Sequence, residues 1–167
     1  MFYQVYQYIK FLKKSTNQHG VHSPFVYNLV TKCFYDKTIY NEYSKIKNYK
    51  DRLKKDNSII EIEDLGAGSR VFKTNKRKIS EVLKNSSPTL KRAKLLFRIS
   101  NYLKIKNALE LGTNLGVGTH SLALSNCSKV YTIEGAKSLF NFSKDKLKTF
   151  TKVNIHHNNF KDELTAL

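Results

Sequence analysis

The chain has 167 residues, 40% of them hydrophobic, so it can form one modest hydrophobic core. Its formal net charge at pH 7 is +17, from 30 lysines and arginines against 13 acidic residues. Only five of the basic residues are arginine, the side chain best suited to bidentate recognition of phosphates and bases. The charge therefore permits nucleic-acid binding without favouring it, and the wealth of Lys, Asn, Ile, Tyr and Phe is typical of an AT-rich genome.

The cysteine pattern and the N-terminus exclude several classes of protein. Cys33 and Cys127 have no C-x-x-C spacing and indicate no disulfide framework, so we expect reduced thiols and a cytoplasmic location. Residues 2–14 predict an amphipathic helix that lacks the basic start and long apolar centre of a signal peptide. No segment approaches the apolar length of a membrane span, so no membrane partner is expected.

The first half of the chain predicts helices. Ser23 is a suitable N-cap for a second helix, with Pro24 at its first position. Residues 40–53 have the spacing of a third, more polar helix. His19 and His22 precede the second helix, three residues apart, which permits metal binding, but no acidic or cysteine partner accompanies them.

A first glycine-rich segment follows these helices. Residues 59–63 predict a strand that leads into Asp64-x-Gly66-x-Gly68. What comes next, up to residue 78, is polar and basic rather than an apolar helix. We interpret residues 59–78 as an ordered, lid-like loop, and the alternative is that this segment is itself the ligand-binding turn.

A second glycine-rich segment has a stronger pattern. Residues 108–111 predict a short buried strand carrying Glu110, and Gly112 and Gly116 then allow a tight turn. Residues 117–125 predict a helix, so the turn delivers a helix N-terminus with unpaired N–H groups.

Two further strands follow in the order expected of a doubly wound sheet. Residues 130–133 predict a second strand, ending in Glu134, 24 residues after Glu110. Residues 153–156 predict a third strand, after a helix within residues 136–150. An acidic residue at the tip of the second strand is suited to accept hydrogen bonds from the ribose hydroxyls of a cofactor.

The spacing E-x-G-x-x-x-G, read from Glu110 to Gly116, resembles the first motif of class I S-adenosylmethionine (SAM)-dependent methyltransferases. It differs from the dinucleotide spacing G-x-G-x-x-G. The resemblance implies an α/β, Rossmann-like core that binds SAM through six residues: Glu110, Gly112, Thr113, Gly116, Glu134 and Asn159. The alternative is a plain strand-to-helix turn with packing glycines and an unrelated Glu134.

The resemblance also implies individual roles. Glu134 would accept hydrogen bonds from the ribose, and Thr113 would reach the methionyl end of the cofactor. Asn159 would face the adenine amino group, with Asn158 as an equally placed competitor. No catalytic base can be assigned, and no metal site is predicted.

Three outlying segments extend the resemblance to a small bacterial group of methyltransferases with an HGVHSPF-type N-terminal cap. They are 19–27, 64–70 and 96–98. We therefore expect a helical cap over residues 1–88 and the N-terminal half of a SAM-binding domain over residues 89–167. In this arrangement, the loop with His19 and His22 would pack over the cofactor pocket rather than bind a metal.

The family resemblance implies methyl transfer to an oxygen or nitrogen nucleophile of an unidentified acceptor. The family sheet has seven strands, whereas the sequence predicts three, so the chain is expected to be truncated and weakly active or inactive. The open edge of the strand at 108–111 is expected to favour self-association. The alternative from another class is a non-catalytic basic module that binds nucleic acid or a protein partner.

Overall fold

The computed structural model describes residues 2–15, 17–63 and 74–166. The chain forms two compact units, residues 1–37 and residues 38–167. Residues 38–88 thus belong to the same unit as the sheet, and the predicted functional division at residue 88 stays a prediction.

The first unit is helical. Helix α1 spans Phe2–Lys14, a 3-10 turn spans Gln18–Gly20, and helix α2 spans Pro24–Leu29 and continues as a π-turn. The hydroxyl of Ser23 accepts the backbone N–H of Val26 at 3.4 Å, as predicted for an N-cap.

The second unit is an α/β fold, as predicted. In its parallel sheet the strand Lys129–Glu134 lies between Asn107–Leu111 and Val153–His157. In chain order, the elements are α3 (Glu42–Lys55), β1 (Ile59–Glu61), β2 (Lys76–Lys78), α4 (Ile79–Ser86), α5 (Leu90–Tyr102), β3 (Asn107–Leu111), α6 (Val117–Leu124), β4 (Lys129–Glu134), α7 (Lys137–Leu147), β5 (Val153–His157) and α8 (Phe160–Ala166).

The segment interpreted as a loop contains a small hairpin. Strands β1 and β2 pair antiparallel, with Ile59 opposite Lys78 and Glu61 opposite Lys76. The sequence did not predict β2, because Lys-Arg-Lys has no apolar alternation even though Arg77 points inward. The glycine-rich part of this segment, from Asp64 through Gly66 and Gly68, lies outside the described residues.

The prediction that β3 is buried is wrong for one of its two faces. Ala108 packs with Val130 in a cluster of side chains from β4, α5 and α6. Leu109 and Leu111 point to the opposite face, where each remains 48% exposed. Strand β3 is half-exposed because the helices of that cluster cover only one of its faces, and it pairs on one side only among the described strands.

The main core joins α3, α4, α5 and the start of α6. Its buried side chains include Ile46, Tyr49, Val82, Phe97 and Leu115. Helix α3 is thereby fixed against the turn between β3 and α6. In the described part of the chain, no helix has both the length and the apolar character needed to cross a membrane.

Candidate functional site

The turn between β3 and α6 requires glycine at two positions. Gly112 has a φ of +91° and Gly116 a φ of +73°, values that L side chains adopt only with strain. A methyl group on Gly116 would also lie 3.1 Å from Cδ1 of Leu147. The N–H groups of Gly112 and Thr113 donate to the carbonyl oxygen of Ile133 at 2.9 and 3.3 Å, which ties the turn to β4.

Glu134 fixes the same turn from the tip of β4. One oxygen of its carboxylate accepts the backbone N–H of Asn114 at 2.7 Å, and the other accepts that of Ala136 at 3.0 Å. The residue is only 7% exposed. Each carboxylate oxygen has a second lone pair, so Glu134 can still accept hydrogen bonds from a ligand.

Glu110 lies beneath the turn in a network of hydroxyl groups. Its carboxylate accepts the hydroxyl groups of Thr119 at 2.5 Å and Thr132 at 2.8 Å. Because Thr132 gives its single proton to Glu110, the hydroxyl of Thr113 donates to Thr132, at 2.7 Å. Burial raises the pKa of Glu110, the two threonine hydrogen bonds lower it, and the nearby charge of Glu134 raises it.

Gly118 is part of this arrangement, although the sequence analysis singled out only Gly112 and Gly116. A methyl group on Gly118 would overlap Oε1 of Glu110. The available signal was a glycine inside a predicted helix, where it costs about 1 kcal/mol relative to alanine. Such a glycine usually has a packing reason, and here the reason is the carboxylate of the preceding strand.

A cavity of about 430 Å³ opens beside the turn, at the carboxyl ends of β4 and β5. Of the six predicted site residues, Glu134 and Asn159 line it. The glycine turn contributes Asn114, which lies between Gly112 and Gly116 in the sequence, to the cavity wall. Glu110 and Thr113 do not line it, since their polar groups face the threonine network.

Asn159 is also the cap of α8. Its side-chain oxygen accepts the backbone N–H of Asp162 at 2.8 Å, and its amide donates to the Asp162 carboxylate. Asn158 is not among the residues of the cavity wall, although its side-chain oxygen accepts the N–H of Asn159 at 2.9 Å. Of the two competing asparagines, the structure places Asn159 at the cavity.

The hairpin contributes residues that the sequence did not single out. Ile62 and Glu63, which directly follow β1, and Arg77 of β2 line the cavity. Glu134 and Leu139 belong to the same lining. Arg77 is 9% exposed, and its Nε donates to the carbonyl oxygen of Thr74 at 3.2 Å. The signal for Arg77 was weak, because a single inward arginine in a basic run has no distinctive spacing.

His19 and His22 belong to the N-terminal unit. His19 lies in the 3-10 turn and His22 just before the cap of α2. Their predicted place over the cavity stays a prediction. Across residues 2–15, 17–63 and 74–166, no three His, Cys, Asp or Glu side chains are grouped to hold a metal ion.

No protein-family model matches the chain, and no curated protein matches it. Solved structures of similar fold include the O-methyltransferase from Bacillus cereus in complex with S-adenosylhomocysteine (15% identity, TM-score 0.46, 83% of this chain and 52% of that one). The SAM complex of the O-methyltransferase TomG from Streptomyces achromogenes shares 18% identity, with a TM-score of 0.47 and coverage of 92% and 56%.

A third similar structure is the S-adenosylhomocysteine-bound methyltransferase PaMTH1 from Podospora anserina (12% identity, TM-score 0.49, coverage 92% and 56%). The present chain spans about half the length of each of these proteins. At these identities and TM-scores, the likeness concerns the fold and supports no conclusion about activity.

Proposed function

We propose that the chain binds S-adenosylmethionine in the 430 Å³ cavity and forms the cofactor-binding part of a methyltransferase. The observation that carries the proposal is the position of Glu134, a buried carboxylate at a strand tip, beside a left-handed glycine turn and in the cavity wall. A carboxylate in this position suits the two hydroxyl groups of a ribose.

The remaining lining fits an adenosyl group. Leu139 and Phe160 offer apolar walls, and Asn159 adds an amide with one N–H and one lone pair beyond its capping bonds. Glu110 and Thr113 are assigned a positioning role instead of the direct contact expected from the sequence. They hold the turn from below, through Thr132 and Thr119.

The implied reaction is an in-line displacement at the sulfonium methyl group. When bound, S-adenosylmethionine would supply an electrophilic methyl group for an acceptor oxygen or nitrogen and would leave as S-adenosylhomocysteine; Glu134 and Asn159 would hold it. The described residues contribute binding and orientation, which can account for a large part of such catalysis. No described side chain is assigned as the base, and the acceptor stays open.

A second candidate function is a basic module that binds a polyanion without turnover. The net charge of +17 is compatible with such binding. The two functions make different predictions, because only the first requires the carboxylate of Glu134.

Calorimetry with S-adenosylhomocysteine tests the proposal. Glu134→Ala should weaken binding about tenfold to a hundredfold, because a charge-assisted acceptor is lost. Glu81→Ala, which removes an exposed carboxylate from α4, is the matched control and should bind like the wild type. Unchanged affinity in Glu134→Ala would overturn the assignment.

A further inference from the structure

A second cavity, of about 750 Å³, lies between α3, α6 and Phe150. It shares no lining residue with the cavity at Glu134. Its volume is within the range of about 300–1,000 Å³ typical of small-molecule sites. This cavity is therefore a second candidate site for a small molecule.

One wall of this cavity is basic. Lys45, Arg52 and Lys55 follow the spacing of a single face of α3, with Asn48 between them. These three cations form no ion pair with any described residue. The lining also contains the carboxylate of Asp51, but this group pairs with Lys47 at 2.6 Å. The wall thus presents an excess of positive charge to the cavity.

The floor of the cavity includes a buried imidazole. His120 is 7% exposed and stacks on the ring of Tyr49, with centroids 4.5 Å apart and planes 10° from parallel. Phe150 meets its edge at 5.1 Å. The Nδ1 atom of His120 has no hydrogen-bond partner among the described residues, which is uncommon for a buried polar atom.

The surroundings of this imidazole determine its protonation state. Burial and, to a lesser extent, the positive charges of Arg52 and Lys45 together lower the pKa of His120 to about 4. At neutral pH, the ring is therefore uncharged, so it adds a polar group without repelling the cations of α3.

We propose that this cavity binds a phosphate-bearing small molecule. Lys45 and Arg52 would contact the phosphate oxygens, since a guanidinium group and an ammonium group are the side chains that best satisfy a multiply charged anion. Leu124 and Phe150 supply apolar surface for the rest of the ligand. A concave site with a half-buried aromatic ring suits a compact ligand of nucleotide size better than an extended RNA backbone.

Calorimetry with pyrophosphate and with ADP, at physiological salt, tests the site. Wild-type protein should bind ADP, and Lys45→Gln/Arg52→Gln should weaken that binding at least about tenfold, because two charged contacts are lost. Both residues are exposed, so this variant should keep the wild-type unfolding temperature. His120→Phe keeps an aromatic ring on Tyr49 and should also weaken binding, with folding checked by circular dichroism.

The matched control is Lys54→Gln/Lys91→Gln. It removes the same charge from exposed positions, one of them on α3, that do not line the cavity. An equal loss in the control and the site variant would show non-specific attraction to a basic protein and overturn the proposal. It would equally fail if ADP did not bind at about millimolar concentration, or if single-stranded RNA bound far more tightly than ADP.

NMR adds a measurement that would not change if Lys45 and Arg52 had a purely structural role. The imidazole nitrogen signals of His120 should shift when pyrophosphate is added to the wild type, and stay in place in Lys45→Gln/Arg52→Gln. Binding without any change at His120 would contradict the proposed site. This result does not depend on the cavity at Glu134, so the two proposals can fail separately.

Discussion

The carboxylate of Glu110 occupies the space that a side chain at Gly118 would need. Glu110 is the penultimate residue of β3, and Gly118 lies in the first turn of α6. The acid of the motif and this helix glycine are therefore one packing unit, in which the strand end can bury a carboxylate only because the helix has no side chain there.

Gly118→Ala should destabilise the protein by at least about 2 kcal/mol, since the new methyl group overpacks against Glu110. The measurement is the free energy of unfolding in urea. In the background of Glu110→Ala the same substitution should cost much less, so the double-mutant cycle should show coupling of about 1 kcal/mol or more. Additive effects would contradict the direct contact.

Gly112→Val should abolish binding of S-adenosylhomocysteine. Its φ of +91° is strained for any L side chain, and valine is among the least tolerant. Gly66→Val, in the earlier glycine segment, is expected to retain cofactor binding. The opposite pattern in a binding assay would mean that the ligand turn is the earlier segment.

His120 should make the protein less stable as the pH falls. Its pKa is about 4 in the folded chain and 6.5 in its ordinary state, so between these values the unfolded chain takes up a proton that the folded chain excludes. Above pH 6.5 the buried neutral imidazole carries no such penalty. Toward pH 4 the penalty grows and lowers the free energy of unfolding by an amount on the order of 3 kcal/mol. Urea unfolding across this pH range measures it.

His120→Phe should flatten this part of the pH dependence, because no imidazole remains to be protonated. His22→Phe, which removes an exposed imidazole from the N-terminal unit, is the control and should leave the slope unchanged. An unaltered slope in His120→Phe would show that another group is responsible.

The exposed face of β3 should promote self-association. Leu109 and Leu111 are each 48% exposed on one sheet face, which favours contact with a second copy. Leu109→Ser/Leu111→Ser should lower the sedimentation-derived mass and reduce binding of a hydrophobic dye. Leu103→Ser, at a residue 41% exposed after α5, controls for the loss of one exposed leucine. A wild-type chain that is monomeric at every concentration would refute this prediction.

The elements that sequence reasoning predicted correctly are those with a local signal. Apolar periodicity located β4 and α7, and the side-chain chemistry of Ser23 located the start of α2. Strand β2 had no such signal, because its residues are all charged. Local pattern is thus sufficient for an element when the pattern reflects the element's own burial.

The site was harder to predict because its contacts join distant parts of the chain. Glu134 lies in the cavity wall, at a position that follows from the end of a strand, and its predicted contact with a ribose stays a prediction. The inward turn of Thr113 toward Thr132 depends on a neighbouring strand, which spacing along the chain does not reveal. Arg77 enters the wall only through the pairing of β1 with β2.

The hydroxyl of Tyr49 donates to the carbonyl oxygen of Leu115 at 2.7 Å, inside the glycine turn. The motif that looks local in sequence is therefore completed by a side chain 66 residues upstream. In a fragment comprising residues 89–167, that buried carbonyl would lack its hydrogen-bond donor. Helix α6 would also lose its apolar contacts with α3. The smallest piece able to form an intact turn should start before α3, so a minimal autonomous domain has to be cut near residue 38.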